Sequence, residues 1–466
     1  MKIYRDSSNR NRQLCWGLIL FFVGLHLLYI NTPFVNLEWV YRQGSQYFLT
    51  QEQSSVEQYF SLQANPLTYS YLSSIAVRIF GDTYLSYRLF ALIGGTLLLA
   101  LLARHNNPWL ILLVGLNPLI WIYSGRAYSE LLSVGVMLLA FETRGSCILR
   151  GVWGGLAATV KYHAIVVNGV YWGLQWLRRT VQEKQWVWRD ANLQAAAISL
   201  FGLVVFLLFY MYQTNILIAP EKFQVIHGSI QFDNWLNNFY SYGFYLSGMF
   251  FLTIPAHLQN IQWRWHAVAL SISIPLAISN QNLGEMDFGS FDQLLSNEII
   301  LIIKVAGFWN FLLCCKQFWQ DKESRIMLLT ILIYITMLSL TKPVQRYLIF
   351  VIPFWAILVC SHIRLHRLFW WGFVISLCGL NGFASLYQVS NAQASADIAR
   401  WSVQNNLYID AGVIHSHVGE YSHQDAKSEL IVRLTPKANE KILFQKPVKV
   451  LGHTIRNYIV VQTHQY

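Results

Sequence analysis

The sequence predicts an all-α polytopic membrane protein: about 13 transmembrane helices, juxtamembrane helices on the outer face, and a small C-terminal α/β domain outside the membrane. Three observations carry this. Hydrophobic residues make up 55% of the 466 positions and charged ones only 12%, against about 25% charged in an ordinary soluble protein. Apolar runs of near-spanning length recur from residue 14 to residue 386. The Lys and Arg residues then fall mainly between alternate runs, as cytoplasmic loops require.

The candidate spans, in order, are 14–30, 85–103, 108–124, 129–141, 151–161, 163–177, 193–213, 242–258, 265–279, 298–315, 326–341, 347–362 and 368–386. With a cytoplasmic N-terminus, seventeen of the 34 cations lie in inside segments and eight in outward ones. Basic residues before Leu14 are compatible with a signal peptide, but no small-residue cleavage pattern follows, so the first run is expected to stay as a span. The net charge of +11 is therefore read as topology and not as a nucleic-acid surface. None of the six cysteines stands in a C-x-x-C pair, so neither a disulfide framework nor a zinc site is implied.

Residues 67–80 break this pattern, because a span there would invert everything downstream. NPLTYSYLSSIAVRIF is expected instead to lie along the outer membrane face, with Tyr69, Tyr71 and Arg78 at the interface. The same charge rule splits 151–177 into two short helices that turn at Lys161-Tyr162-His163. Residues 31–84 become a long first outer loop, with further outward loops at 214–241 and 280–297. From residue 387 to 466 the chain is polar. An amphipathic stretch (ADIARWSVQNN) and β-like runs (ELIVRL, KILF, NYIVVQ) predict a small soluble domain, and residues 1–386 form the membrane domain. No internal repeat is visible, which weighs against an inverted-repeat transporter.

Ionisable groups at membrane depth are costly and need a partner or a task. Arg88, Arg126, Lys161 and Arg346 all fall at the outer ends of spans, where converging cations make a site for an anion such as a phosphate. Salt bridging or snorkelling explains each of them singly. Among the acids, Glu38 follows the first span, Glu130 lies one turn beyond Arg126 and is a ready partner for it, and Glu285, Asp287, Asp292 and Glu298 cluster in the third outer loop. A carboxylate in such a cavity can act as a general base. The tail segment HSHVGEYSH (His415, His417, Glu420, His423) has no tetrahedral framework and is read as a loop.

These segments together resemble the GT-C superfamily of polyprenyl-phosphate-sugar-dependent glycosyltransferases, in its protein mannosyltransferase and aminoarabinose transferase branch. A D-E-x-x-Y motif is matched by Leu37-Glu38-Trp39-Val40-Tyr41. An H-P-P-L-Y-Y helix followed by F-G and R-L is similar to Asn65-Pro66-Leu67, Phe80-Gly81 and Arg88-Leu89. A P-L-x-x-x-Y-S-R-x-A-x-x-D/E pattern resembles Pro118 to Glu130, G-L-A-x-x-x-K-Y matches Gly155 to Tyr162, and R-Y-L-x-F-x-x-P matches Arg346 to Pro353. The chain departs from the pattern at Leu37, where the family has its aspartate, and at Ala64 and Asn65, which replace histidine and proline.

The resemblance implies transfer of a sugar from a polyprenyl-phosphate donor to a glycan, lipid or protein acceptor at the periplasmic face of an inner membrane. Glu38, with Glu130 as alternate, is the expected base. Arg88, Arg126, Lys161, Arg346 and Tyr347 are expected to hold the donor phosphate, with inversion at the anomeric carbon. No cofactor is demanded, and a divalent metal would be held by the loop acids. The alternatives are a transporter or flippase of a lipid-linked anion, and a non-catalytic relative.

Overall fold

The computed structural model of the protein describes residues 9–462 apart from 35–37, 63–65, 144, 185, 215–231, 249, 251–252, 280–296, 342–343, 364–366, 411–427 and 438–439. Leu37, Glu285, Asp287, Asp292 and the 415–423 segment therefore lie outside the described residues.

The first helix, α1 (Asn9–Tyr29), buries only Cys15, Ile19, Phe22 and His26, one stripe at helical spacing. Leu20 and Leu28 on its other faces are exposed. A helix that is apolar all round and buried along one stripe turns the remainder toward lipid. Three short helices follow, α2 (Glu38–Thr50), α3 (Gln53–Leu62) and α4 (Thr68–Phe80). The 13 residues of α4 reach about 20 Å, well short of a hydrocarbon core of about 30 Å. Gly81 ends α4 in the left-handed region at φ 80°, and Thr83 caps the next helix, α5 (Tyr84–Ala103). The two tyrosines expected at the interface separate, since neighbours two apart on a helix point to different faces. Tyr71 is exposed, whereas Tyr69 is fully buried and donates to the Tyr87 carbonyl at 2.7 Å.

The run expected as one span at 108–124 is two helices, α6 (Pro108–Gly115) and α7 (Pro118–Ser124). Pro118 opens the second, and the Asn117 side chain accepts the Leu119 N–H at 3.1 Å. The chain continues through α8 (Glu130–Glu142), α9 (Cys147–Val160), α10 (His163–Glu183) and α11 (Ala191–Thr214). It then runs through α12 (Trp235–Gly248), α13 (Ile254–Asn260), α14 (Trp263–Ser279), α15 (Asn297–Phe318) and α16 (Lys322–Ser339). A 3-10 turn (Gln345–Phe350), α17 (Ile352–His362) and α18 (Arg367–Gln404) complete the helices among the described residues. Five helices among the described residues are long and apolar enough to cross a membrane: Asn9–Tyr29, Tyr84–Ala103, Ala191–Phe209, Glu298–Phe318 and Trp370–Gln404. Shorter apolar helices such as Cys147–Val160 and Ile352–His362 pack among them.

The crossing of α5 and α8 places the later site. A Cβ on Gly94 would collide with the backbone of Leu131 and Leu132, and one on Gly135 would lie 2.7 Å from the Gly94 carbonyl oxygen. Only glycine lets the two backbones approach this closely.

The polar tail is not separated from the bundle by a break. α18 is one helix of 38 residues, about 57 Å long. Its first half packs Phe373, Leu377 and Ala384 into the main core, and its second half lays Tyr387, Ala394 and Ile398 into a separate core. That second core backs a three-stranded antiparallel sheet of β1 (Leu430–Arg433), β2 (Lys441–Val450) and β3 (His453–Gln462), in the order β1-β3-β2. Val432 pairs with Val460 and Lys446 with Tyr458. Leu451 and Gly452, both at positive φ, make the tight β2–β3 turn that suits the strands' twist.

Candidate active site

Two buried ion-pair clusters form where α5, α8 and the break between α9 and α10 come together. In the first, Arg88 at the start of α5 donates from Nε to Glu38 Oε1 at 2.8 Å and from Nη2 to Oε2 at 2.9 Å. Its remaining donors go to the carbonyls of Ile30, Thr32 and Pro33 and to the Thr32 hydroxyl. Glu38 Oε1 also accepts the Ala127 N–H at 2.6 Å. Glu38 is wholly buried and Arg88 is 1% exposed. Two groups expected in the chemistry, one as base and one as phosphate ligand, are thus engaged with each other and with the chain. Together they tie the end of α1 and the start of α2 to the loop between α7 and α8.

That loop carries the second cluster. Tyr41 on α2 meets Ser129 Oγ at 3.2 Å, and Glu130 follows as the first residue of α8, where a carboxylate is favoured by the helix dipole. Arg126 is buried on the same loop with its guanidinium over the Tyr123 ring at 5.6 Å. The partner expected for Glu130 one turn away is not the one it takes. Lys161 Nζ lies 2.9 Å from Glu130 Oε1, and Arg346 Nε lies 3.2 Å from the same oxygen. The Arg346 contact is an ion pair without hydrogen-bond alignment, and Glu130 Oε2 is buried without a hydrogen-bond partner among the described residues.

Lys161 reaches this position because the backbone is extended there, at φ −154° and ψ 124°, between the last turn of α9 and the first of α10. Arg346 and Tyr347 come from the 3-10 turn 345–350. The Tyr347 ring lies under Lys161 at 5.1 Å and under Arg346 at 5.6 Å, and Tyr128 also faces Arg346 at 5.2 Å. Lys161 and Glu130 are fully buried, while the Arg346 side chain keeps 14% of its surface. Among the described residues nothing accepts from the two terminal nitrogens of Arg346, and Lys161 has one hydrogen-bond partner. Two cations against one carboxylate leave one formal positive charge and several unspent N–H donors. Such a group can hold an anion.

Two residues that motif reading passed over belong to the cluster. His163 lies against Tyr347 with centroids 4.0 Å apart and the rings tilted by 33°, and shares a 3.0 Å hydrogen bond with the Tyr334 hydroxyl. Tyr334 also donates to the Tyr347 carbonyl at 3.1 Å. Among the described residues no three His, Cys, Asp or Glu side chains gather in a metal-binding group. Glu298 is exposed in the first turn of α15.

The arrangement is that of a helical membrane bundle with a buried, cation-rich site near the ends of several broken helices. The fold is similar to two crystal structures of ArnT from Cupriavidus metallidurans. One, in the apo state, is 15% identical, with a TM-score of 0.42 over 96% of this chain and 98% of that one. The other, bound to undecaprenyl phosphate, is 12% identical, with a TM-score of 0.43 over the same shares. At TM-scores this low neither structure carries a residue's role over to this chain. No family model matches the sequence, and no curated protein does.

Proposed function

We propose that the protein is a GT-C-type membrane glycosyltransferase that moves a sugar from a polyprenyl-phosphate donor to an acceptor hydroxyl on the non-cytoplasmic face. The observation that carries this reading is the state of Glu130: one carboxylate oxygen is held by Lys161 and Arg346, and the other is buried without a hydrogen bond among the described residues. An orphaned carboxylate oxygen is expensive unless something else occupies it. Here it is set beside cations that still have donors to give.

In this mechanism the acceptor hydroxyl gives its proton to Glu130 Oε2 as its oxygen attacks the anomeric carbon. The bond from that carbon to the phosphate oxygen breaks on the opposite side, so configuration inverts. The bonding pair leaves with the polyprenyl phosphate. Lys161 and Arg346 meet the charge that develops there, which is usually the largest catalytic term, and Tyr347 floors both cations. Arg126 adds positive potential from the α7–α8 loop. Glu38 and Arg88 act as positioning residues, because their hydrogen bonds set that loop and hence Glu130.

The test is release of polyprenyl phosphate by the purified, detergent-solubilised chain from a panel of lipid-linked sugars. Release by the unmodified chain and its loss in E130Q is the expected result. Lipid-linked sugar that crosses vesicle membranes intact, with no release, would instead make the protein a transporter.

A further inference from the structure

The Tyr334 hydroxyl touches two acceptor-capable atoms, the Tyr347 carbonyl oxygen at 3.1 Å and His163 Nδ1 at 3.0 Å. A phenol has one proton, and a carbonyl oxygen can only accept. The Tyr334 proton therefore points at Tyr347, and the second contact must run the other way, with His163 Nδ1–H donating to the phenol oxygen. In the neutral ring this fixes the tautomer: Nδ1 carries the hydrogen and Nε2 carries a lone pair.

Among the described residues that lone pair has no hydrogen-bond partner. His163 is only part-buried, while the ring is clamped by Tyr347 on one side and Phe350 on another, at centroid distances of 4.0 and 5.5 Å. His163 opens α10 two residues after Lys161. A rigid, oriented acceptor thus stands at the edge of the cluster, apart from Glu130 and beside two cations, Lys161 and Arg346, that can only donate. Donors suit a phosphate. An acceptor suits the hydroxyl of a sugar.

We propose that His163 Nε2 accepts a hydrogen bond from a hydroxyl of the donor's sugar and so reads the sugar while the cations read the phosphate. This rests on the glycosyl-transfer reading and adds a specificity-determining residue to it. The side chain reaches the substrate directly, and Tyr334 acts through it as a positioning residue.

The test compares binding of two lipids to the full-length protein in detergent, a polyprenyl-phosphate sugar and the sugar-free polyprenyl phosphate. H163N retains an N–H where Nδ1 stood and removes Nε2, whereas H163Q carries an amide oxygen close to the Nε2 position. H163N should weaken the lipid-linked sugar about tenfold, the worth of one hydrogen bond, and leave the sugar-free lipid unchanged. H163Q should recover most of the loss, and a donor deoxygenated at the hydroxyl concerned should bind H163N and the unmodified chain alike. Equal weakening of both lipids in H163N, or of neither, would overturn the assignment, as would an unmodified chain that binds the sugar donor no better than the bare lipid phosphate. The wider reading fails separately, on the absence of sugar transfer by the unmodified chain whatever the binding ratio.

Discussion

Glu38 and Arg88 meet as a two-pronged ion pair, 2.8 and 2.9 Å across its arms and closed to solvent. The pair holds the carbonyls of residues 30, 32 and 33 on one side and the Ala127 N–H on the other. Removing one member of such a pair leaves a buried charge uncompensated, at about 3–5 kcal/mol.

Glu38→Gln should therefore lower thermal stability strongly. It should reduce turnover per folded molecule less than Glu130→Gln does. Unfolding curves in detergent, paired with rates normalised to folded protein, check this. A stable Glu38→Gln variant with almost no turnover would return the role of base to Glu38.

The sequence shows the depth of a charge but not how its donors are spent. Arg88 and Arg346 look alike there, each a cation at the outer end of an apolar run. Three of the acceptors that occupy Arg88 are backbone carbonyls, which no residue pattern reveals. The break at Lys161 was legible, because a charge rule that counts loops demands a turn between two basic flanks. His163 and Tyr334 are 171 positions apart, and no motif connects them. The polarity change at residue 387 was equally plain, yet helical periodicity runs through it unchanged. Composition locates where a chain leaves the apolar core, whereas backbone hydrogen bonds decide whether the helix stops there.

A pH effect is expected at the turn before α16. Asp321 caps that helix by accepting the Ser324 N–H at 2.8 Å, and this hydrogen bond holds its carboxyl below the ordinary value of 3.8. A carboxylate depressed in the folded state stabilises above its unfolded value, and that contribution fades as pH falls through the folded one. Asp321→Ala should cost about 1 kcal/mol at neutral pH. The gap in melting temperature from the unmodified protein should narrow below about pH 4. A gap that stays constant on acidification would show that the charge of Asp321 has no part in the cap.

Lys161→Met removes a buried cation whose one ion-pair partner among the described residues is Glu130. Arg346 remains to neutralise that carboxylate, so the fold should survive. On the proposed mechanism the donor phosphate loses a ligand. The expected outcome is a large loss in donor affinity and turnover with a modest change in melting temperature. The reverse split, intact kinetics and a collapsed melting point, would make Lys161 structural.

Glu130→Gln keeps the volume of the side chain and can still face Lys161 through its amide oxygen, but it cannot take up a proton. A general base replaced in this way should lose about a hundredfold or more in turnover. Donor affinity should hold or rise, because Lys161 and Arg346 are released from a carboxylate and turn their charge on the phosphate. That opposite movement of rate and affinity is the signature to look for, since a side chain that only held the cluster together would lose both at once. Rates and donor binding measured on the same preparation separate the two. If Glu130→Gln transfers sugar at the unmodified rate, the orphaned oxygen is not the proton's destination, and the cation pair is left as an anion site without its base.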